Sequence, residues 1–213
     1  MPLTPLREQV NKLNVGEAAG AIERFPEHCV GVKVRLGAID IAETEGEEAQ
    51  RALEMEAFNR ALEAAGAHPL SEAAQPPSPP LPLPPGCPGP AVSLTSPRCC
   101  RAVTHHMNSS VPLADCPGRM RPGDIYSHAF HGLTATIIDF EGHEGGRGPV
   151  AQEVRDAQER GVLLDIGHGN ASFSWTVAET AIAEGVMPDI ISTDLHIGSC
   201  NGPVYDLPSV SDD

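Results

Sequence analysis

The chain lacks any run of 18 apolar residues, which excludes a hydrophobic helical membrane span within it. Basic residues are scarce: 14 Lys and Arg stand against 29 Asp and Glu, a formal charge of −15 over 213 residues. That balance argues against a nucleic-acid binder, which needs the opposite sign. The opening Met-Pro-Leu-Thr-Pro-Leu-Arg lacks the apolar stretch of a signal peptide. The six cysteines (Cys29, Cys87, Cys99, Cys100, Cys116 and Cys200) contain no C-x-x-C pair and no regular spacing. A zinc ribbon or a disulfide framework is therefore not expected, and free thiols in a reducing cytoplasm are. What remains is 40% hydrophobic residues, enough for one core.

Proline is concentrated rather than scarce. Pro76–Pro90 reads PPSPPLPLPPGCPGP, nine prolines in fifteen residues. Proline fixes φ and lacks the amide proton, so this stretch holds neither a helix nor a central strand. It is expected to be extended and polyproline-like. Three parts result: residues 1–66, a proline-rich linker or insertion over residues 67–101, and residues 102–213. The insertion reads as foreign to the fold. Its several P-x-x-P matches also suit an SH3-type partner, although no basic residue flanks them before Arg98.

The flanks alternate between helix and strand. Helices are expected at Val15–Arg24 with Asn14 as N-cap, at Glu47–Ala65 and Val150–Arg160, and at Phe173–Glu184 closed by Gly185. In Glu47–Ala65 the expected buried stripe is Ala49, Ala52, Leu53, Ala57, Ala61, Leu62 and Ala65. Strands are expected at Cys29–Leu36, Arg101–His105, Asp124–His128, Val162–Ile166 and Ile190–Thr193. This alternation implies βαβ units and a parallel sheet.

Polar clusters fall at the C-terminal ends of the expected strands, where parallel α/β folds build their sites. They are Lys33, His105 with His106, His128 with His131, Asp165 with His168, and Asp194 with His196. The successive intervals His105 to His128, His128 to Asp165 and Asp165 to Asp194 are 23, 37 and 29 residues, the scale of one β-α unit. The interval from Lys33 to His105 joins that series only without the proline-rich segment. Alternation in CVGVKVRL puts Lys33 on one face with Gly31 and Arg35, opposite the valines and Leu36; Asp194 and His196 are expected to share a face of their strand. Asp165 has two readings, a strand-end cap for the following GHGNAS or a site residue. The Gly167–His168–Gly169 turn lacks the spacing of a phosphate-binding loop.

VGVKVRL, VTHHMNSSVPL, PGDIYSHAFHG, GVLLDIGHGNASFSW and PDIISTDLH occur in that order. Together they resemble the deacetylase branch of the amidohydrolase superfamily, which is similar to dihydroorotase and D-aminoacylase. The resemblance implies an α/β fold of the TIM-type (β/α)8 kind, present here as a partial barrel of about strands 4 to 8. It implies a centre of two divalent metals, usually zinc, and hydrolysis of a C–N bond in small N-acyl amides. By that resemblance Lys33 matches the carboxylated lysine that bridges the metals. His105 and His128 match ligands of the more exposed metal. Asp194 matches the aspartate that binds the buried metal and shuttles the proton, the catalytic residue. His131, His168 and His196 are cleft or supporting residues.

The family's His-x-His pair of strand 1 has no counterpart before Lys33, where His28 is the only histidine. The expectation is an incomplete zinc site and impaired activity, with a non-catalytic barrel fragment or a proline-rich interaction protein as the alternative. Cyclic-amide or ester hydrolysis on the same scaffold is a further alternative. The expected partner is a small N-acyl substrate, with neither nucleic acid nor membrane.

Overall fold

A computed structural model describes residues 12–37, 46–66, 100–140, 148–202 and 204–212. Residues 67–99 of the proline-rich segment, and Glu141–Arg147, lie outside the described residues.

The chain forms helix α1 (Val15–Arg24), strand β1 (Gly31–Leu36), helix α2 (Glu47–Gly66), strands β2 (Arg101–His106) and β3 (Ile125–Ser127), helix α3 (Gln152–Glu159), strand β4 (Leu163–Asp165), and helices α4 (Trp175–Ala183) and α5 (Leu207–Asp212). The four strands form one parallel sheet in the order β1-β2-β3-β4. Asn14 caps α1 as its residue type predicts, accepting the Glu17 amide at 3.1 Å. Ser174 does the same for α4 through Val177. α2 packs on β1 and β2 and is the crossover between them. Cys100, taken into the insertion by the sequence boundaries, is buried, and Arg101 already opens β2.

Two departures have physical causes. The expected stripe on α2 is rotated by about one position. The helix buries Gln50, Glu54, Ala57, Phe58, Ala61, Ala64 and Ala65, and leaves Ala52 exposed. Fully buried Phe58 anchors the true face. Glu54 can join it because four donors meet its carboxylate. Oε1 accepts from the Gly37 amide (2.7 Å) and Gln50 Nε2 (2.8 Å); Oε2 accepts from Ser109 Oγ (2.6 Å) and the Ser110 amide (3.2 Å).

The expected last strand, Ile190–Thr193, is not a regular strand. It keeps one parallel bridge, Asp165 to Ile190, and continues as extended chain held by His168 N–H to the Ser192 carbonyl (3.0 Å) and Gly169 N–H to the Thr193 carbonyl (2.8 Å).

Register sorts the side chains into two faces. Val34, Thr104, Tyr126 and Leu164 lie in one row, next to Leu36 and His106. Leu36, Tyr126 and Leu164 of this face pack into the core with Phe58, Val154, Ala157, Val177 and Ala181 of the helices. The opposite face carries Lys33, Val103, Ile125 and Leu163 in one row, and Arg35, His105, Ser127 and Asp165 in the next. That second row is polar across all four strands. It lies toward the C-terminal ends, where the sequence placed the chemistry. The N-terminal side is structural: buried Asp124 accepts from the Ala102 amide at 2.8 Å and pairs with Arg121 at 3.0 Å.

Candidate functional site

The choice between His105 and His106 is made by the pleat. His105 shares the polar face with Lys33 and Arg35; His106 turns to the helices. There His106 Nε2–H donates to the Val111 carbonyl at 2.9 Å, so Nδ1 is an acceptor and takes the Tyr126 hydroxyl proton, also at 2.9 Å. Both its nitrogens are spent on structure. His131 is likewise fully engaged: Nε2–H donates to the His106 carbonyl (2.9 Å) and Nδ1 accepts the Leu133 amide (3.1 Å).

His105 and His128 differ. Their rings stack with centroids 4.0 Å apart. His105 Nε2 and His128 Nδ1 are buried without a hydrogen-bond partner, and so is Asp165 Oδ1. These are three of the five such atoms among the described residues, all at one sheet edge. Buried polar atoms are rarely left so, and a cluster of them marks a place where something else binds. Ser127, beside His128, donates to Asp165 Oδ2 at 2.5 Å. Asp165 therefore faces the site and is no cap for the turn after it.

Asp194 closes the group. Its Oδ2 is 3.9 Å from His128 Nε2, with the carboxylate partly open to solvent. His128 and Asp194 both take left-handed backbone, φ +59° and +45°. Residues other than glycine seldom do so, and such strain persists where the surroundings impose it. Lys33 is exposed on the same face, close enough to act electrostatically on both imidazoles.

Burial makes the histidines weak bases. It pushes His105 down to about 3, helped by His128, Arg35 and Lys33. Burial also lowers His128, against the opposing pull of Asp194. Both rings are neutral near neutral pH; the free nitrogen of His105 is Nε2, whereas His128 has Nδ1 on the Gly167 side and Nε2 on the Asp194 side. Two neutral imidazoles with free nitrogens suit a borderline metal such as zinc. No group of three or more His, Cys, Asp or Glu side chains among the described residues is arranged to hold a metal ion. The donor set is thus two imidazoles deep, with Asp194 and Lys33 beside it.

Of the other sequence candidates, His168 is buried, stacks on Phe173 with centroids 4.8 Å apart and directs Nδ1 to the Gly169 carbonyl at 3.0 Å. His196 lies in an exposed loop and accepts the Gly198 amide on Nδ1. Alternation would have set it on the Asp194 face, but the left-handed turn at Asp194 ends the strand first. Sequence reasoning missed Ser127 and Tyr126. Alternation within DIYSH, read with the register, was the signal that could have found them.

No family model matches the chain. Deacetylase Atu3266 of Agrobacterium fabrum is 44% identical over 90 residues, which is 40% of this chain and 20% of that protein. A deacetylase of Enterococcus faecalis is 39% identical over 108 residues, 48% of this chain and 27% of that protein. Solved structures of an adenine deaminase (TM-score 0.61, 24% identity) and a dihydroorotase (TM-score 0.58, 25% identity) each cover 92% of this chain. This chain covers 42% and 40% of theirs. It therefore spans roughly a quarter or less of the curated relatives and under half of the solved structures. Among the described residues, no helix is long and apolar enough to cross a membrane. In sequence part of the chain is similar to these deacetylases, and its four-stranded parallel α/β sheet is similar in fold to the adenine deaminase and dihydroorotase structures, as a partial barrel of that type would be.

Proposed function

We propose that this chain carries the site of a cytoplasmic, metal-dependent hydrolase that cleaves the C–N bond of small N-acyl amides, with activity impaired because the described residues offer no group of three metal-holding side chains. One observation carries the reading. Two neutral, stacked imidazoles with unpaired buried nitrogens lie beside a solvent-accessible carboxylate at the C-terminal edge of a parallel sheet. The curated relatives named deacetylase support the reaction class.

His105 and His128 would hold a divalent metal, zinc by donor type, with Asp194 and a carboxylated Lys33 as further donors once they draw in, because the described residues as they stand offer no group of three such ligands. Such a metal supplies Lewis acidity to an amide carbonyl near neutral pH. The remaining chemistry belongs to side chains. The Asp194 carboxylate accepts a proton from the attacking water and returns it to the leaving nitrogen. Desolvation keeps both imidazoles unprotonated, so neither competes for that proton. His131 and His168 support the walls of the cleft, and His196 sits at its outer loop.

The test is metal analysis and acetate release on protein purified with added zinc. Zinc retained by wild type, with acetate freed from an N-acetyl amide faster than in buffer, and both lost in His128→Ala, is the expected result. No retained zinc and release no faster than buffer would overturn it and leave a non-catalytic fragment. Release from a cyclic amide or an ester instead would transfer the site to that reaction.

A further inference from the structure

We infer that the Gly167–His168–Gly169 turn is the positioning element of the site, pressing the His128 imidazole and the Asp194 carboxylate toward one another. The inference deepens, and rests on, the reading of those two side chains as the hydrolase's functional pair.

Both glycines are left-handed, with φ +53° and +57°. Their lack of a Cβ is used on the inside of the turn. A Cβ at Gly167 would stand 3.0 Å from His128 Cγ, 3.0 Å from its Nδ1 and 3.1 Å from its backbone nitrogen. One at Gly169 would stand 3.2 Å from Asp194 Oδ2 and 3.3 Å from Ser172 Oγ. The inside of the turn thus leaves no room for a side chain beside His128 at one glycine or beside Asp194 at the other, and those two side chains lie 3.9 Å apart. Gly167 also brings its backbone against the His128 ring, although Nδ1 makes no well-formed hydrogen bond there. With Nδ1 on the Gly167 side, Nε2 is the ring nitrogen on the Asp194 side; a group behind the other nitrogen is what ordinarily orients a ligating imidazole.

The turn is anchored on both sides. The amides of His168 and Gly169 donate to the Ser192 and Thr193 carbonyls, the residues that lead into Asp194. The Ala129 amide donates to the Asp165 carbonyl at 3.1 Å, tying the chain after His128 to the strand that enters the turn. The His168 ring, buried and stacked on Phe173, fills the outside. Two segments 66 residues apart in sequence are therefore brought to one point by three residues.

Gly185 provides the control. It is also left-handed, at φ +81°, but a Cβ there would meet nothing within 4 Å. Gly185→Ala carries the backbone strain without the contact. The experiment measures zinc affinity by chelator competition, His128 ring resonances by NMR, and the urea midpoint, for Gly167→Ala, Gly169→Ala and Gly185→Ala. Gly167→Ala should weaken zinc about 10–100-fold, as loss of a ligand-orienting contact does, and should shift the His128 resonances. Gly169→Ala should act in the same direction but less, because a carboxylate can pivot and a ring held at its backbone cannot. Gly185→Ala should lower the urea midpoint alone. The inference is overturned if Gly167→Ala leaves zinc affinity and the His128 resonances as in Gly185→Ala. If wild type binds no zinc, the hydrolase reading fails instead; the His128 resonances then judge the turn by themselves.

Discussion

Replacing Glu54 by glutamine tests the packing argument most directly. Glutamine keeps the shape and removes a buried charge, so area and desolvation alone predict no loss or a gain. Hydrogen bonding predicts the reverse. All four groups around the carboxylate are donors: the Gly37 and Ser110 amides, Gln50 Nε2 and Ser109 Oγ. Ser109 Oγ accepts the Val111 amide at 3.1 Å while its own proton goes to Glu54 at 2.6 Å. A carboxylate offers acceptors on both oxygens. A carboxamide must turn its NH2 toward one pair of donors, whichever way it flips. Each buried donor left unsatisfied costs about 1–3 kcal/mol, so two of them give about 2–6 kcal/mol of lost stability. The loss should appear as a lower urea midpoint with unchanged slope. Because three of the four donors sit in the loops after β1 and β2, amide exchange should speed up at Gly37 and Ser110 and not at Asp124, on the opposite sheet end. A Glu54→Gln protein as stable as wild type would refute the reasoning.

Other outcomes follow from the same geometry. Tyr126→Phe removes the donor to His106 Nδ1 and leaves a buried acceptor unpaired, a loss of about 1–3 kcal/mol in urea unfolding; no loss would mean that His106 does not need that partner. His105, His106 and His131 are held at about 3, 4 and 4, chiefly by burial, against 6.5 when unfolded. Between those values the unfolded chain binds more protons than the folded one. Stability is therefore complete above about pH 6.5 and is lost as pH falls toward 4. Urea midpoints that stay flat or rise from pH 7 to pH 5 would contradict this. His106→Ala should reduce stability by breaking the strut to Val111 and Tyr126. His105→Ala, which breaks no protein hydrogen bond on its ring, should reduce zinc retention with a smaller stability loss; equal stability losses in urea would erase the distinction between the two histidines.

Much of this was legible in residue order. The N-cap at Asn14, the alternation of β1, the glycine stop at Gly185 and the strand-end polar clusters follow from local stereochemistry, and local stereochemistry is written in short windows. The parallel α/β class follows from the same windows taken in sequence. What local pattern could not reveal is any contact whose partner is far along the chain. Glu54 reads as a solvated helix residue until the donors of residues 37, 109 and 110 surround it. His105 and His106 are indistinguishable as neighbours; only the pairing with β1 and β3 assigns one to the polar face and the other to the helix core. The glycines of the 167–169 turn read as punctuation until His128 and Asp194 are found against them. Sequence determined on which elements the polar candidates ride, because propensity and periodicity are local. Tertiary structure alone decided which ring nitrogens stay free, because satisfying a buried polar group depends on what the fold brings to it from elsewhere.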